Sequence, residues 1–135
     1  MNGMKPLIWQ GMVVPDYYVA TDGYIWSFNR KTPKRMKPSI NATTGYCYTR
    51  VPFMGKIVDV YFHRAVGFAW VPFPRPKNIP KKEWDSLPES VQFFIKSLHI
   101  VHHKDHDKTN FHPSNLEWTT QRKNALYFQD FKNGK

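Results

Sequence analysis

The chain has 135 residues, 41% hydrophobic and 16% aromatic, enough to bury one core without staples and too apolar for a disordered chain. Twenty Lys and Arg against ten Asp and Glu give a formal charge of +10, which favours a polyanionic partner through phosphate neutralisation and counterion release. The single cysteine, Cys47, excludes a disulfide framework and cysteine-rich zinc modules, and no long apolar run opens the chain, so a cytoplasmic protein without a membrane partner is expected.

In chain order, "DYYVATDGYIWSF" (16–28) sets two aromatic and β-branched runs around Thr21-Asp22-Gly23 and predicts a hairpin. The polar stretch 29–39 follows, with Arg30, Lys31, Lys34, Arg35 and Lys37 as candidate phosphate contacts. A second hairpin is predicted from 45–53 and 57–62, joined through Met54-Gly55-Lys56. Residues 63–70, "HRAVGFAW", read as a short helix stopped by the proline-rich "VPFPRPKNIP". Ser86 and Glu89 have the spacing of a capping box, and Val91, Phe94, Ile95 and Leu98 then form one apolar face of a helix, expected to be core.

The last third reads strand, polar loop, strand, helix. "HIVH" (99–102) and "NLEWTT" (115–120) are the strands, and "QRKNALYFQDF" (121–131) is the helix, carrying Asn124 on its aromatic face. Five of the six histidines fall between His99 and His112. Asp105, Asp107 and Thr109 occupy the first ligand positions of a calcium loop, but Asn110 replaces its glycine and Leu116 its bidentate glutamate, so that reading fails. A hydrolytic metal site needs few protein ligands and a nearby base, a role suited to histidine. Adjacent residues on a strand point to opposite faces, so His102 and His103 divide such labour only if the strand end bends.

The segment "IVHHKDHDKTNFHPSNLEWTTQRKN" (100–124) resembles the HNH, or His-Me finger, endonucleases, and most of all their phage homing branch. "YYVATDGYIWSFNR" (17–30) is similar to the module that often precedes HNH units, and 45–72 to the stretch linking the two; 75–98 looks like an insertion. The resemblance implies an α+β fold in one compact domain: N-terminal hairpins over 8–62, a helical and proline-rich connection over 63–98, and a ββα-metal unit over 99–131. It implies a metal-dependent endonuclease on double-stranded DNA that leaves 5′-phosphate and 3′-hydroxyl ends. His103 is then the general base, Asn115 the brace of the loop and of the base, and His102 with Asn124 the ligands of one divalent metal.

Many phage homing enzymes have Asp where this chain has His102. Imidazole is a softer donor than carboxylate and brings no negative charge, so the site should hold Mg²⁺ less strongly, and Mn²⁺, Ni²⁺ or Zn²⁺ more tightly, than an Asp site would. Mg²⁺ or Mn²⁺ is nonetheless expected as the working ion, with Ni²⁺ or Zn²⁺ as alternatives. His106 stands where the family commonly has Gly, and Phe111 where a second Asn is common. Arg64 and Arg122 are further candidates for the scissile phosphate. Only four residues follow Phe131, so recognition is expected from the N-terminal hairpins, the basic stretch, 63–70 or a second subunit. Monomer and homodimer both remain open. So do a structure-specific phage nuclease, a DNA-binding protein with an unused metal site, and a structural metal- or RNA-binding module.

Overall fold

In a computed structural model, residues 3–29, 31–76 and 78–119 are described. Strands β1 (Met4–Trp9) and β2 (Met12–Ala20) pair antiparallel, with a register shift at Pro6/Leu7. The hairpin predicted at 16–28 carries β2 into β3 (Ile25–Ser27), and β4 (Lys34–Arg35) completes a sheet of order β1-β2-β3-β4. A second sheet runs β5 (Ser39–Ile40), β6 (Cys47–Phe53), β7 (Lys56–Tyr61). The turn between β6 and β7 is tighter than its sequence suggests, Met54 and Gly55 alone, both at positive φ as a two-residue hairpin turn requires. Along β6, Cys47, Thr49, Val51 and Phe53 point inward in strict alternation.

Helix α1 (Phe62–Trp70) starts directly after β7 and is the centre of the molecule. Phe62, Ala65, Val66, Phe68 and Ala69 join a core made of Leu7, Val14, Val19 and Ile25 from one sheet, Val51 and Val60 from the other, and Val101, Leu116 and Trp118 from the last strands. The helix is buried nearly all round, with only Arg64 and Trp70 outside its buried residues. Gly67 makes this packing feasible: a Cβ there would lie 2.7 Å from the Val101 side chain and 3.1 Å from Trp118. The Trp118 indole N–H points at the carbonyls of Gly67 and Val71, at 3.2 and 3.3 Å, and so satisfies carbonyls at the end of the helix.

Two helices follow, α2 (Lys81–Ser86) and α3 (Glu89–Ser97). The expected capping box does not form. Ser86 ends α2, where its hydroxyl donates back to the Glu83 carbonyl, and Pro88 precedes α3 without a side-chain cap. The face expected to be core is not core either: Val91, Phe94 and Leu98 are exposed, while Phe93 packs inward against Phe68. The antiparallel pair β8 (Ile100–His103) and β9 (Leu116–Thr119) closes the described fold, one residue removed from the sequence reading at each end. The fold is α+β, in a single compact unit. No helix among the described residues is long and apolar enough to cross a membrane.

Candidate active site

β8 carries His102 and His103 at its end, and β9 runs back beside it with His102 opposite Glu117 and His103 opposite Leu116. The pairing is in register through His103, so the two imidazoles leave opposite faces of the hairpin. The His103 ring meets Tyr46 and His63, with centroids 5.7 and 5.2 Å away. The His102 ring meets His106 at 5.1 Å. Both histidines are buried, His102 at 8% and His103 at 4% exposure.

The loop between the strands is held by Asn115, at the end of a 3-10 turn (Pro113–Asn115) that His112 caps by accepting from the Ser114 N–H. The Asn115 amide donates to Asp105 Oδ1 and to the Asn110 carbonyl, both at 2.9 Å, and its Oδ1 accepts from the Asp105 N–H at 3.2 Å. Its backbone carbonyl accepts from Lys104 N–H at 2.7 Å. Asp105 and Asp107 likewise spend their carboxylates on the loop: Asp105 accepts from the Asp107 N–H, and Asp107 from the N–H and hydroxyl of Thr109. Such turns are what short polar side chains do. The Asn110 and Asn115 amides and the Asp107 N–H hold the Asp105 carboxyl down at about 2.

Two departures from the family pattern are absorbed locally. His106 takes a left-handed backbone, φ 62°, the conformation a glycine adopts freely and that histidine tolerates better than most residues. Phe111 turns inward onto Phe62 and Tyr24, and the Phe111 carbonyl lies 2.6 Å from where a Cβ on Gly23 would stand. Position 23, in the turn between β2 and β3, therefore has to be glycine for the loop to close against it, and Gly23 also has φ 95°.

Burial depresses both imidazoles of the cluster. Desolvation brings His103 down to about 4, against a partial opposing pull from Asp105, and brings His63 to about 3. Both rings are therefore neutral near pH 7. A neutral imidazole is the form a proton acceptor must have.

Among the candidate phosphate contacts, Lys31, Lys34, Arg35 and Lys37 are exposed along one segment, the middle pair forming edge strand β4. The Arg35 guanidinium lies 4.6 Å over Tyr24, whose ring meets Phe111 of the loop at 5.1 Å, so the basic edge is tied to the site through two aromatic contacts. Arg64 is engaged within the protein: it donates to the carbonyls of Ser97 and His99 and lies over Phe68 and Trp118. Arg30, Arg122 and Asn124, with the predicted helix 121–131, lie outside the described residues. Sequence reasoning missed three groups at the site. Tyr46 and His63 pack on His103, and the Lys108 ammonium, bonded to the Thr44 carbonyl, lies 4.7 Å over Tyr46.

His102 is a nitrogen donor of the type that the metal expected from the resemblance takes, but it leaves the hairpin on the face opposite His103, and the strand end does not bend to bring the two together. Among the described residues no three His, Cys, Asp or Glu side chains cluster to hold an ion, so a site here depends on a donor beyond them.

The site is thus a braced loop between two paired strands, with a buried neutral histidine at the strand end. Residues 78–126 match the HNH endonuclease family model, which bears out the resemblance and takes in α2 and α3, the segment set apart as an insertion. The fold is similar to a solved structure described as "DNA binding and cleavage by the HNH homing endonuclease I-HmuI", with a TM-score of 0.60 and 23% identity over 89% of this chain. The likeness covers 54% of that protein, so this chain spans about half its length. No curated protein matches the chain.

Proposed function

We propose that the protein is a metal-dependent DNA endonuclease of the phage homing type, cleaving double-stranded DNA to 5′-phosphate and 3′-hydroxyl ends. The observation that carries this reading is the placement of neutral His103 at the end of β8, against a loop whose polar groups Asn115 ties together. In the reaction, His103 takes a proton from water as the water oxygen bonds to phosphorus. The bond from phosphorus to the 3′ oxygen breaks, and that oxygen gains a proton from solvent. Asn115 keeps the loop, and with it the strand end, in one conformation. His102 and Asn124 are the proposed ligands of a divalent ion, Mg²⁺ or Mn²⁺, which supplies positive charge where negative charge develops on phosphate and leaving oxygen. Lys31, Lys34, Arg35 and Lys37, with Arg30 and Arg122, are the proposed phosphate contacts. Lys104 and Lys108 add charge beside the loop.

Supercoiled plasmid incubated with Mg²⁺, Mn²⁺, Ni²⁺ or Zn²⁺ tests this reading. The wild type should cut with at least one ion, and His103→Ala should lose on the order of 100-fold or more while still binding DNA. One site nicks one strand, so linear product would point to a dimer or two sequential nicks. Salt-sensitive binding with no cleavage under any ion would instead leave a DNA-binding protein with an unused metal site.

A further inference from the structure

His63 and Tyr46 lie outside the three residues from which the HNH pattern takes its letters, yet they make the contacts of the His103 ring. His63 comes from the first turn of α1 and Tyr46 from the segment just before β6, so both belong to the N-terminal part of the chain. Tyr46 stacks on His63 at 4.4 Å and 21°, and on His103 at 5.7 Å and 28°. It therefore keeps both imidazoles in one aromatic cluster.

Within this cluster two buried nitrogens, His63 Nδ1 and His103 Nε2, have no hydrogen-bond partner among the described residues. Buried polar atoms of this kind are rare, and each has lost its water without gaining a bond in exchange. Packing alone does not explain two of them in one contact, since an apolar ring in such a place brings no polar atom to be left without a partner. The pair has complementary capacities, because one neutral imidazole nitrogen donates and another accepts. The centroids are 5.2 Å apart with planes at 46°, a separation that suits a direct N–H···N bond once either ring turns slightly. Hydrogen bonds to catalytic groups are often loosely aligned in the free protein and tighten with substrate.

We propose that His63 is a positioning residue for strand cleavage: its Nδ1 accepts from His103 Nε2–H, fixing the tautomer in which His103 Nδ1 is the base nitrogen. His63 then does for His103 what an orienting carboxylate does for a catalytic histidine elsewhere, without bringing a charge. Burial suits it to the task, since a ring held neutral near pH 7 keeps its acceptor and does not repel the imidazolium formed on His103. The N-terminal hairpins thereby become part of the chemistry as well as of DNA binding.

This inference rests on His103 being the base, and its test separates the two. In full-length, metal-free, ¹⁵N-labelled protein, a scalar coupling across the hydrogen bond between His63 Nδ1 and His103 Nε2 is expected. His63→Phe should keep the fold and the KM for DNA while kcat falls on the order of 10- to 100-fold. His63→Asn, which returns an acceptor close to the Nδ1 position, should recover much of that loss; His63→Gln, which places it further out, should recover less. No coupling in the wild type, or a His63→Phe variant as active as the wild type, overturns the proposal. If His63→Phe does not fold, the wild-type coupling and the order of the Asn and Gln variants decide. Unimpaired cleavage by His103→Ala would be a different failure, that of the base assignment itself.

Discussion

Helices α1 and α3 are each nine residues long, and each has an apolar face at helical spacing. Seven residues of α1 are buried and none of α3 is. The difference lies in what surrounds them. α1 is wedged between two sheets and the β8–β9 pair, with Gly67 letting a strand come within contact of its backbone. α3 rests on the core through Phe93 and leaves Phe94 and Leu98 at 62% and 68% exposure. An apolar stripe says which residues share a face; it does not say that anything covers that face.

Removing a fully buried ring from α1 should show the contrast most strongly. Phe62→Ala is expected to lose about 3–5 kcal/mol in urea unfolding, through lost burial and the cavity left behind. Gly67→Ala comes next. In an open helix this change would gain about 1 kcal/mol, yet against Val101 it should lose about 1–3 kcal/mol. A stabilised variant would mean that α1 and β8 are not in close contact.

A third effect is acid sensitivity. The folded-state pKa of His63 lies near 3, below the roughly 6.5 of an unfolded histidine. Its neutral form is the one the fold accommodates, so its stabilising contribution is complete above about pH 6.5 and declines as pH falls toward 3. Tm should drop between pH 6.5 and 4.5, and His63→Phe should drop less; equal slopes would show that the ring is not held neutral by burial. The smallest effect belongs to α3. Phe94→Ser should change stability by no more than about 0.5 kcal/mol, and a loss several times larger would show that this face is covered in solution.

Much of this was legible along the chain. The hairpins over 16–28 and 45–62, α1 and the paired strands at the site stand where alternation and turn residues put them, because those signals are local, whereas the hairpin of β1 and β2 was not expected. The brace around Asn115 was legible through resemblance, since its partners lie within ten residues of it in sequence. The capping box at Ser86 and Glu89 failed because the same serine had a competing bond to the preceding helix. The sequence offers Arg64 as a charge for phosphate; in the fold its guanidinium donates to two carbonyls more than thirty residues away, contacts that no local pattern announces.

By itself, the sequence determined the hairpins over 16–28 and 45–62, the basic stretch 29–37, and the residue types at the site, since each depends on neighbours along the backbone; β1, β4 and β5 came only with the fold. Tertiary structure alone decided which apolar helix face became core and which two residues would touch His103. Tyr46 and His63 lie 57 and 40 positions before that histidine, and no spacing rule spans such gaps. Only the packing of α1 between the sheets and β8 brings the three rings together and keeps water from them, which is why both imidazoles are neutral.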